Sequence, residues 1–456
     1  MGSLLTFDVD GGTLESLTID GRTVAYRAWR GLPYVEHPVD ATYQRLNLYI
    51  PLACWQGRAA GPFAPGASPI FLPNTVGGYM PGLPGEPGED PHRGGPNAIA
   101  TALARGWVVA APGARGRTLQ DDTGRYTGTA PVCVVDMKAA IRWVRHNRGS
   151  IPADTDRIVS NGTSAGGALS SQLGASGNHG DYEADLRALG AAAEHDDLFA
   201  ASCYCPITNL EHADMAYEWQ FHGIGEYRLW ATVGTLTPEQ HELSAQLKAA
   251  FPAYVNGLGL TAPDGSPLRL DADGTGGLAD HIIALLVASA QHALEGGADL
   301  GHLPWLTMAG SQVTAIDFQG YLRHIGRMKP TPAFDGLDLS TPENELFGSP
   351  GVRARHFTAL GQMHSADDTR AEDSQVRRMN PMGYLNDPAA TVAPHWRIRH
   401  GAADRDTSFA IPVLLAAGLR AAGRHVDFAL PWGVPHAGDY DLPALFDWME
   451  GVVLDG

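Results

Sequence analysis

Residues 157–167 read Arg-Ile-Val-Ser-Asn-Gly-Thr-Ser-Ala-Gly-Gly, and no other stretch restricts the fold of this chain so tightly. Its core, Gly162-Thr163-Ser164-Ala165-Gly166, fits the pattern G-x-S-x-G. The run Arg157–Ser160 precedes it as a strand and Ala168–Leu173 follows it as a helix, so Ser164 falls on a sharp strand-to-helix turn. Side chains two residues either side of the serine would collide with the neighbouring strand and helix, which accounts for the glycines. The turn places Ser164 at a helix N-terminus, where backbone N–H groups and the helix dipole favour a developing anion. The Ala165 N–H is then one oxyanion donor. A Gly-rich turn whose serine merely caps a helix would carry the same five residues, so the reading depends on the rest of the chain.

The surrounding pattern is strand alternating with helix. Pro69–Pro73 and Trp107–Ala111 are short apolar runs ending in turns, as buried parallel strands do, with a helical stretch Asn97–Arg105 between them. Val134, Met137, Ile141 and Val144 recur at helical spacing, and a further strand is expected near Phe199–Tyr204. The alternation resumes with a strand at Trp396–His400, a helix through Ile411, Leu414, Leu415 and Leu419, a strand at His425–Leu430 and a helix over Tyr440–Met449. The middle lacks it, having helical stretches such as Asp280–Leu294 among Pro/Gly-containing loops. The expectation is one mostly parallel sheet flanked by helices, built from 1–206 and 394–456, with a large lid domain, 207–393, inserted at the C-terminal edge of the sheet.

A serine nucleophile needs a general base, and the base needs an orienting carboxylate. On an α/β-hydrolase fold the chain order is serine, acid, histidine, the last two on loops after late strands. Of 18 histidines, His436 alone lies between the last strand and the last helix, while His400 falls in a strand and His356 and His364 in the middle region. Asp404 lies just after the Trp396–His400 strand. A loop histidine and a helix-capping aspartate are the plainer alternatives for the pair. The second oxyanion donor is expected from the loop Asn74–Tyr79 that follows the Pro69–Pro73 strand, with Gly78 favoured over an ordinary Gly-Gly turn.

Composition excludes some classes. A net charge of −18 argues against a nucleic-acid partner, which would demand clustered Lys and Arg, and against anionic membranes. Four cysteines, Cys54, Cys133, Cys203 and Cys205, are too few for a disulfide scaffold and show no zinc-site spacing. Strand alternation would put the Cys203 and Cys205 sulfurs on one face as buried thiols. The first residues lack a basic region followed by about 7–15 apolar residues, and no run approaches about 18 consecutive apolar residues. A cytoplasmic enzyme is the expectation.

Several longer segments are unusual in composition: PNTVGGYMPG (73–82), NGTSAGGA (161–168), CPITNLEHADMAYEWQF (205–221), TPENELFG (341–348), HWRIRHGAADRDTSFAIP (395–412) and FALPWGVPHAGDYDL (428–442). Together they resemble the bacterial tannases (tannin acyl hydrolases) of the lactobacillus type, relatives of the feruloyl esterases, nearly end to end. The resemblance implies cleavage of galloyl esters, a small-molecule substrate class, to gallic acid and an alcohol, with neither cofactor nor metal. By position in these motifs it places the catalytic triad on Ser164, Asp404 and His436. It places groups that grip the galloyl hydroxyls on Lys329, Glu343 and Asp406, and apolar ring contacts on Ile207 and Pro342. From the residues alone, Asp406 serves equally as a cap for the helix beginning near Thr407, and Lys329 and Glu343 as surface residues. The disulfide that ties neighbours of the triad in the fungal pattern is absent, because no cysteine adjoins Asp404 or His436 in sequence. A feruloyl or aryl esterase on the same fold is the nearest rival, and a hydrolase fold serving as a binding module the rival from another class.

Overall fold

The apolar runs of the sequence form the middle of one nine-stranded sheet in the computed structural model, which describes residues 4–19, 21–229, 231–365 and 370–455. Residues 1–3, part of the N-terminal stretch read for a leader, lie outside the described residues, as do 366–369 of the middle segment. The first seven strands are β1 (Thr13–Ile19), β2 (Arg22–Pro33), β3 (Arg45–Pro51), β4 (Pro69–Pro73), β5 (Val108–Pro112), β6 (Asp154–Thr163) and β7 (Ala200–Tyr204). Four more strands, β8 (Glu226–Leu229) with β9 (Thr232–Thr235) and β10 (Leu306–Ala309) with β11 (Gln312–Ile316), pair as two separate hairpins. The main sheet resumes with β12 (His395–Arg399) and β13 (His425–Ala429), in the order β1-β2-β3-β5-β4-β6-β7-β12-β13. From β5 onward every pairing is parallel, which is the α/β-hydrolase arrangement. β1, β2 and β3 add an antiparallel edge that the sequence reading did not separate from the alternating half.

Helices cover both faces. Ile70, Leu72, Val108, Ala110 and Ile158 belong to one apolar cluster with Val134, Met137, Ile141 and Val144 of the helix Val132–His146. Phe71, Val109, Ala111 and Val159 belong to the other, with the helices Ala98–Ala104 and Leu442–Asp455. Burial on both faces is why these strands read as unbroken apolar runs instead of alternating ones. Because the strands run parallel, the chain leaves β4, β6, β7, β12 and β13 at the same edge, and each exit carries a residue singled out above.

The chain between β7 and β12 adds no strand to this sheet. It holds the helix Leu210–Phe221, both hairpins, the helix Pro238–Leu258 with its Thr237/Gln240 capping box, the helix Gly277–Glu295 and the short helix Pro342–Leu346. The hairpins correct the expectation of helix and loop alone: their strands are too short to give a period-2 signal. Gly277–Glu295 is long and apolar enough to cross a membrane by length and composition, yet Leu278, Ile282, Leu286 and Ala290 recur every four residues and are fully buried. That stripe is what a helix packed on one face requires.

A buried ion pair fixes the loop after β5. The Asp136 carboxylate accepts hydrogen bonds from the Arg115 guanidinium (2.8 and 3.0 Å), the Arg115 N–H (2.9 Å) and the Gln44 amide (2.9 Å). Both charges are buried. Removing one partner strands the other in the interior, so Asp136→Ala is expected to lower unfolding stability by about 3–5 kcal/mol in urea titrations. A loss below about 1 kcal/mol, the size of an exposed pair, would contradict this role.

Candidate active site

β6 ends at Thr163 and the next helix, Ala165–Ala175, begins one residue later. Ser164, between them, takes φ 62° and ψ −122°, a conformation that L-residues rarely adopt and that tight packing must hold. The packing is visible in what a side chain would meet. A Cβ on Gly162 would fall on the Gly166 carbonyl and the Asn74 amide, and one on Gly166 would fall on the Asn74 carboxamide oxygen and lie 2.8 Å from the Val76 carbonyl. Asn74, just beyond β4, donates through its amide to the carbonyls of Gly166 (3.0 Å) and Asn161 (3.2 Å). The elbow and the β4 loop are thus one locked unit.

The structure brings Ser164, His436 and Asp404 into one hydrogen-bonded line. His436 Nε2 lies 2.8 Å from Ser164 Oγ, and His436 Nδ1 lies 2.8 Å from Asp404 Oδ2. The other Asp404 oxygen accepts the Asp406 N–H at 2.8 Å. Burial opposes the charge on Asp404, but the His400 and His436 rings and these hydrogen bonds outweigh it and hold the carboxyl down at about 2. Burial also opposes protonation of His436, yet the charge and hydrogen bond of Asp404 lift its pKa well above 6.5. His400, directly after β12 and fully buried, has Nδ1 3.7 Å from Asp404, and burial pushes its pKa down. It stands outside the line.

Cys205 departs from the sequence expectation. β7 ends at Tyr204, Cys205 turns to φ 35°, and the alternation that would have put Cys203 and Cys205 on one face stops there. Cys203 packs in one core cluster and Cys205 in the other, with its Sγ 3.9 Å from His436 Nε2. No cysteine adjoins the triad in sequence, but one does in space. Among the described residues, Cys205, Asp404 and His436 form the one group of three or more whose metal-ligating atoms gather within 4.8 Å of one another. His436 and Asp404 are committed by hydrogen bonds to each other and to Ser164, which is the wiring of a proton relay.

Gly78 takes φ 53° in a loop pinned at both ends. Asn74 is tied to the elbow, and the Tyr79 hydroxyl donates to the Ile207 carbonyl at 2.8 Å. Arg117 donates to the Gly78 carbonyl at 2.9 Å and pairs with Glu345 on Pro342–Leu346. Among the described residues, no other protein group accepts the N–H of Gly78 or of Ala165. Ile207 is buried, and its N–H points to the Ser164 carbonyl at 3.4 Å.

Lys329, Glu343 and Asp406, far apart in sequence, share one electrostatic neighbourhood. Lys329 Nζ lies 2.8 Å from Asp406 Oδ1 and 3.9 Å from the Phe334 ring centroid. Burial disfavours the ammonium, but the Asp406 and Glu343 charges prevail and keep the Lys329 pKa above its ordinary value. Burial pushes Glu343 up, and Lys329 only partly offsets it. Pro342 is exposed at the first turn of the helix that carries Glu343. Asn74, Arg117, Tyr79, Phe334 and Cys205 were not singled out as site residues from the sequence. All but Phe334, five residues from Lys329, act across a long sequence separation; the Asn74–Tyr79 loop offered the one signal, for Asn74 and Tyr79.

The chain is similar to known proteins. A family model named BD-FAE matches residues 93–222, which include the elbow. None of the curated proteins matches the chain. Among solved structures, the tannin acyl hydrolase from Lactobacillus plantarum superposes with a TM-score of 0.95 at 48% identity, covering 99% of both chains. A tannin acyl hydrolase in complex with ethyl gallate matches at 48% identity over 98% of this chain and 99% of that one, TM-score 0.95. The tannase of Fusobacterium nucleatum is 42% identical over 98% of this chain and 99% of its own, TM-score 0.95. At such identity over nearly the full length of both chains, the protein belongs to the tannin acyl hydrolase (tannase) family.

Proposed function

We propose that the chain is a serine esterase that hydrolyses galloyl esters to gallic acid and an alcohol through a galloyl-serine intermediate. One observation carries the reading: the Asp404–His436–Ser164 line and the Lys329–Asp406 pair meet at a single turn, where the Asp406 N–H donates to the triad carboxylate. Nucleophile and ring-binding groups are thereby held at a fixed separation. The solved complex of a tannin acyl hydrolase with ethyl gallate supports the substrate class.

In the proposed mechanism His436 removes the Ser164 proton as Oγ attacks the ester carbonyl. The Gly78 and Ala165 N–H groups bind the oxyanion. Collapse breaks the bond to the alcohol oxygen, which takes its proton from His436. Water, deprotonated by His436, then attacks the galloyl-serine and restores the free enzyme. Asp404 holds the imidazole tautomer and stays ionised throughout. Three adjacent ring hydroxyls call for acceptors and a cation, and Asp406, Glu343 and Lys329 offer both. Ile207 and Pro342 would flank the ring. In this reading 207–393 acts as an inserted lid that supplies Lys329 and Glu343.

Three measurements test this reading. Ser164→Ala is expected to lower turnover of methyl gallate by roughly 10⁴-fold or more, and near-normal turnover would remove Ser164 from the mechanism. On methyl gallate and methyl ferulate side by side, Glu343→Ala is expected to cost the gallate at least about tenfold in kcat/KM and the ferulate little, since a site built for hydroxyls penalises analogues that lack them. An equal loss on both would favour a general aryl esterase. The pH profile follows from the sign of the histidine shift: catalysis needs neutral His436, and a raised pKa moves its deprotonation to higher pH. The acid limb of kcat/KM is therefore expected above 6.5 and should move down in Asp404→Asn; a limb at or below 6.5 in the unmodified enzyme would contradict the shift.

A further inference from the structure

Tyr217 is fully buried on the helix Leu210–Phe221, and its hydroxyl makes the bonds of a complete hydrogen-bonding group. Its one proton goes to the Arg405 carbonyl at 2.9 Å. Its lone pairs accept the N–H of Met328 at 3.1 Å and of Lys329 at 3.0 Å. The three partners come from two distant segments. Met328 and Lys329 belong to the middle segment, and Arg405 separates the triad acid Asp404 from Asp406. The same oxygen therefore holds the backbone of the lysine and the turn that presents its carboxylate partner.

The neighbours of this oxygen reinforce the link. Arg327 Nε donates to the Lys329 carbonyl at 2.7 Å, and its guanidinium pairs with Glu218, one residue beyond Tyr217, with both side chains fully buried. The Asp214 carboxylate, one helical turn earlier, accepts the N–H of Phe334 at 2.8 Å, and Phe334 is the ring beneath the Lys329 ammonium. One face of one helix thus sets the lysine from below. Burial pushes the Tyr217 phenol up to about 12, so its proton remains available to Arg405 across the working pH range.

We propose that Tyr217 is a positioning residue for acyl-ring recognition, its hydroxyl fixing the distance between Lys329 and the Asp404–Asp406 turn. The proposal rests on the reading of Lys329 and Asp406 as partners of the ring hydroxyls. Tyr217→Phe keeps the ring and its packing while releasing three hydrogen bonds, so Lys329 loses its register against Asp406 while Ser164, His436 and Asp404 keep the hydrogen bonds that join them. The cost then falls on binding of a hydroxylated ring. A purely structural tyrosine would instead lower stability and affect all substrates alike.

The test is a double-mutant cycle of Tyr217→Phe, Lys329→Met and both together, assayed on methyl gallate and on p-nitrophenyl acetate, whose acyl group carries no ring. Tyr217→Phe is expected to raise KM for methyl gallate about tenfold with little change in kcat, and to cost p-nitrophenyl acetate far less. In the Lys329→Met background the same substitution should add nothing further. An additive double variant, or equal losses on both esters, would overturn the positioning role. No effect of Lys329→Met on gallate KM would sink the ring-binding reading itself, an outcome distinct from a Lys329 effect without a Tyr217 effect, which overturns only this inference. Amide exchange in the unmodified protein is an independent check should Tyr217→Phe fail to fold: Met328 and Lys329 N–H are expected to be strongly protected, and rapid exchange at both would refute the link.

Discussion

The turn at Ser164 brings two backbone segments, at Gly162 and Gly166, so close to Asn74 and Val76 that neither glycine has room for a Cβ. Much follows from that contact. It holds a non-glycine residue at positive φ, aims Oγ out of the sheet edge, frees the Ala165 N–H at the head of a helix, and fastens the β4 loop beside it. The Asn74 amide converts the close approach into hydrogen bonds at 3.0 and 3.2 Å, so loop and elbow cannot shift independently. A nucleophile and its oxyanion donors must keep a common geometry, and in the proposed mechanism the Asn74 side chain would hold it.

The second organising element is a buried carboxylate held ionised. Asp404 is fully buried, a location that alone would favour its neutral form. It stays charged because His436, the Asp406 N–H and the nearby His400 ring supply compensation that bulk water would otherwise give. The same turn then presents Asp406 to Lys329. Asp404 and Asp406 are two residues apart and joined by one hydrogen bond, so in the proposed mechanism base orientation and ring recognition start from one turn.

The middle segment contributes charge and stiffness together. Lys329 and Glu343 stand on separate pieces of chain, and each piece is braced against the catalytic core. Tyr217 ties the first to Arg405; Arg117, which contacts both Gly78 and Glu345, ties the second to the β4 loop. Buried pairs such as Arg327–Glu218 gain little net stability over apolar packing but are costly to break, which suits them to holding a register.

What the sequence determined by itself was whatever depends on local periodicity and local crowding. The unbroken apolar runs at 69–73 and 107–111, buried on both faces, announced parallel strands, and the glycines around Ser164 announced the elbow. Chain order then pointed to Asp404 and His436, and long motifs shared with the tannases pointed to Lys329, Glu343 and Asp406. Tertiary structure decided what depends on the meeting of distant segments. β1, β2 and β3 at the antiparallel edge, the two short hairpins, Cys205 beside His436, and the bracing by Asn74, Arg117 and Tyr217 leave no periodic trace. Side-chain contacts across long separations have no signature in residue order, because the energy that selects them arises only once the sheet has brought the strand ends to one edge.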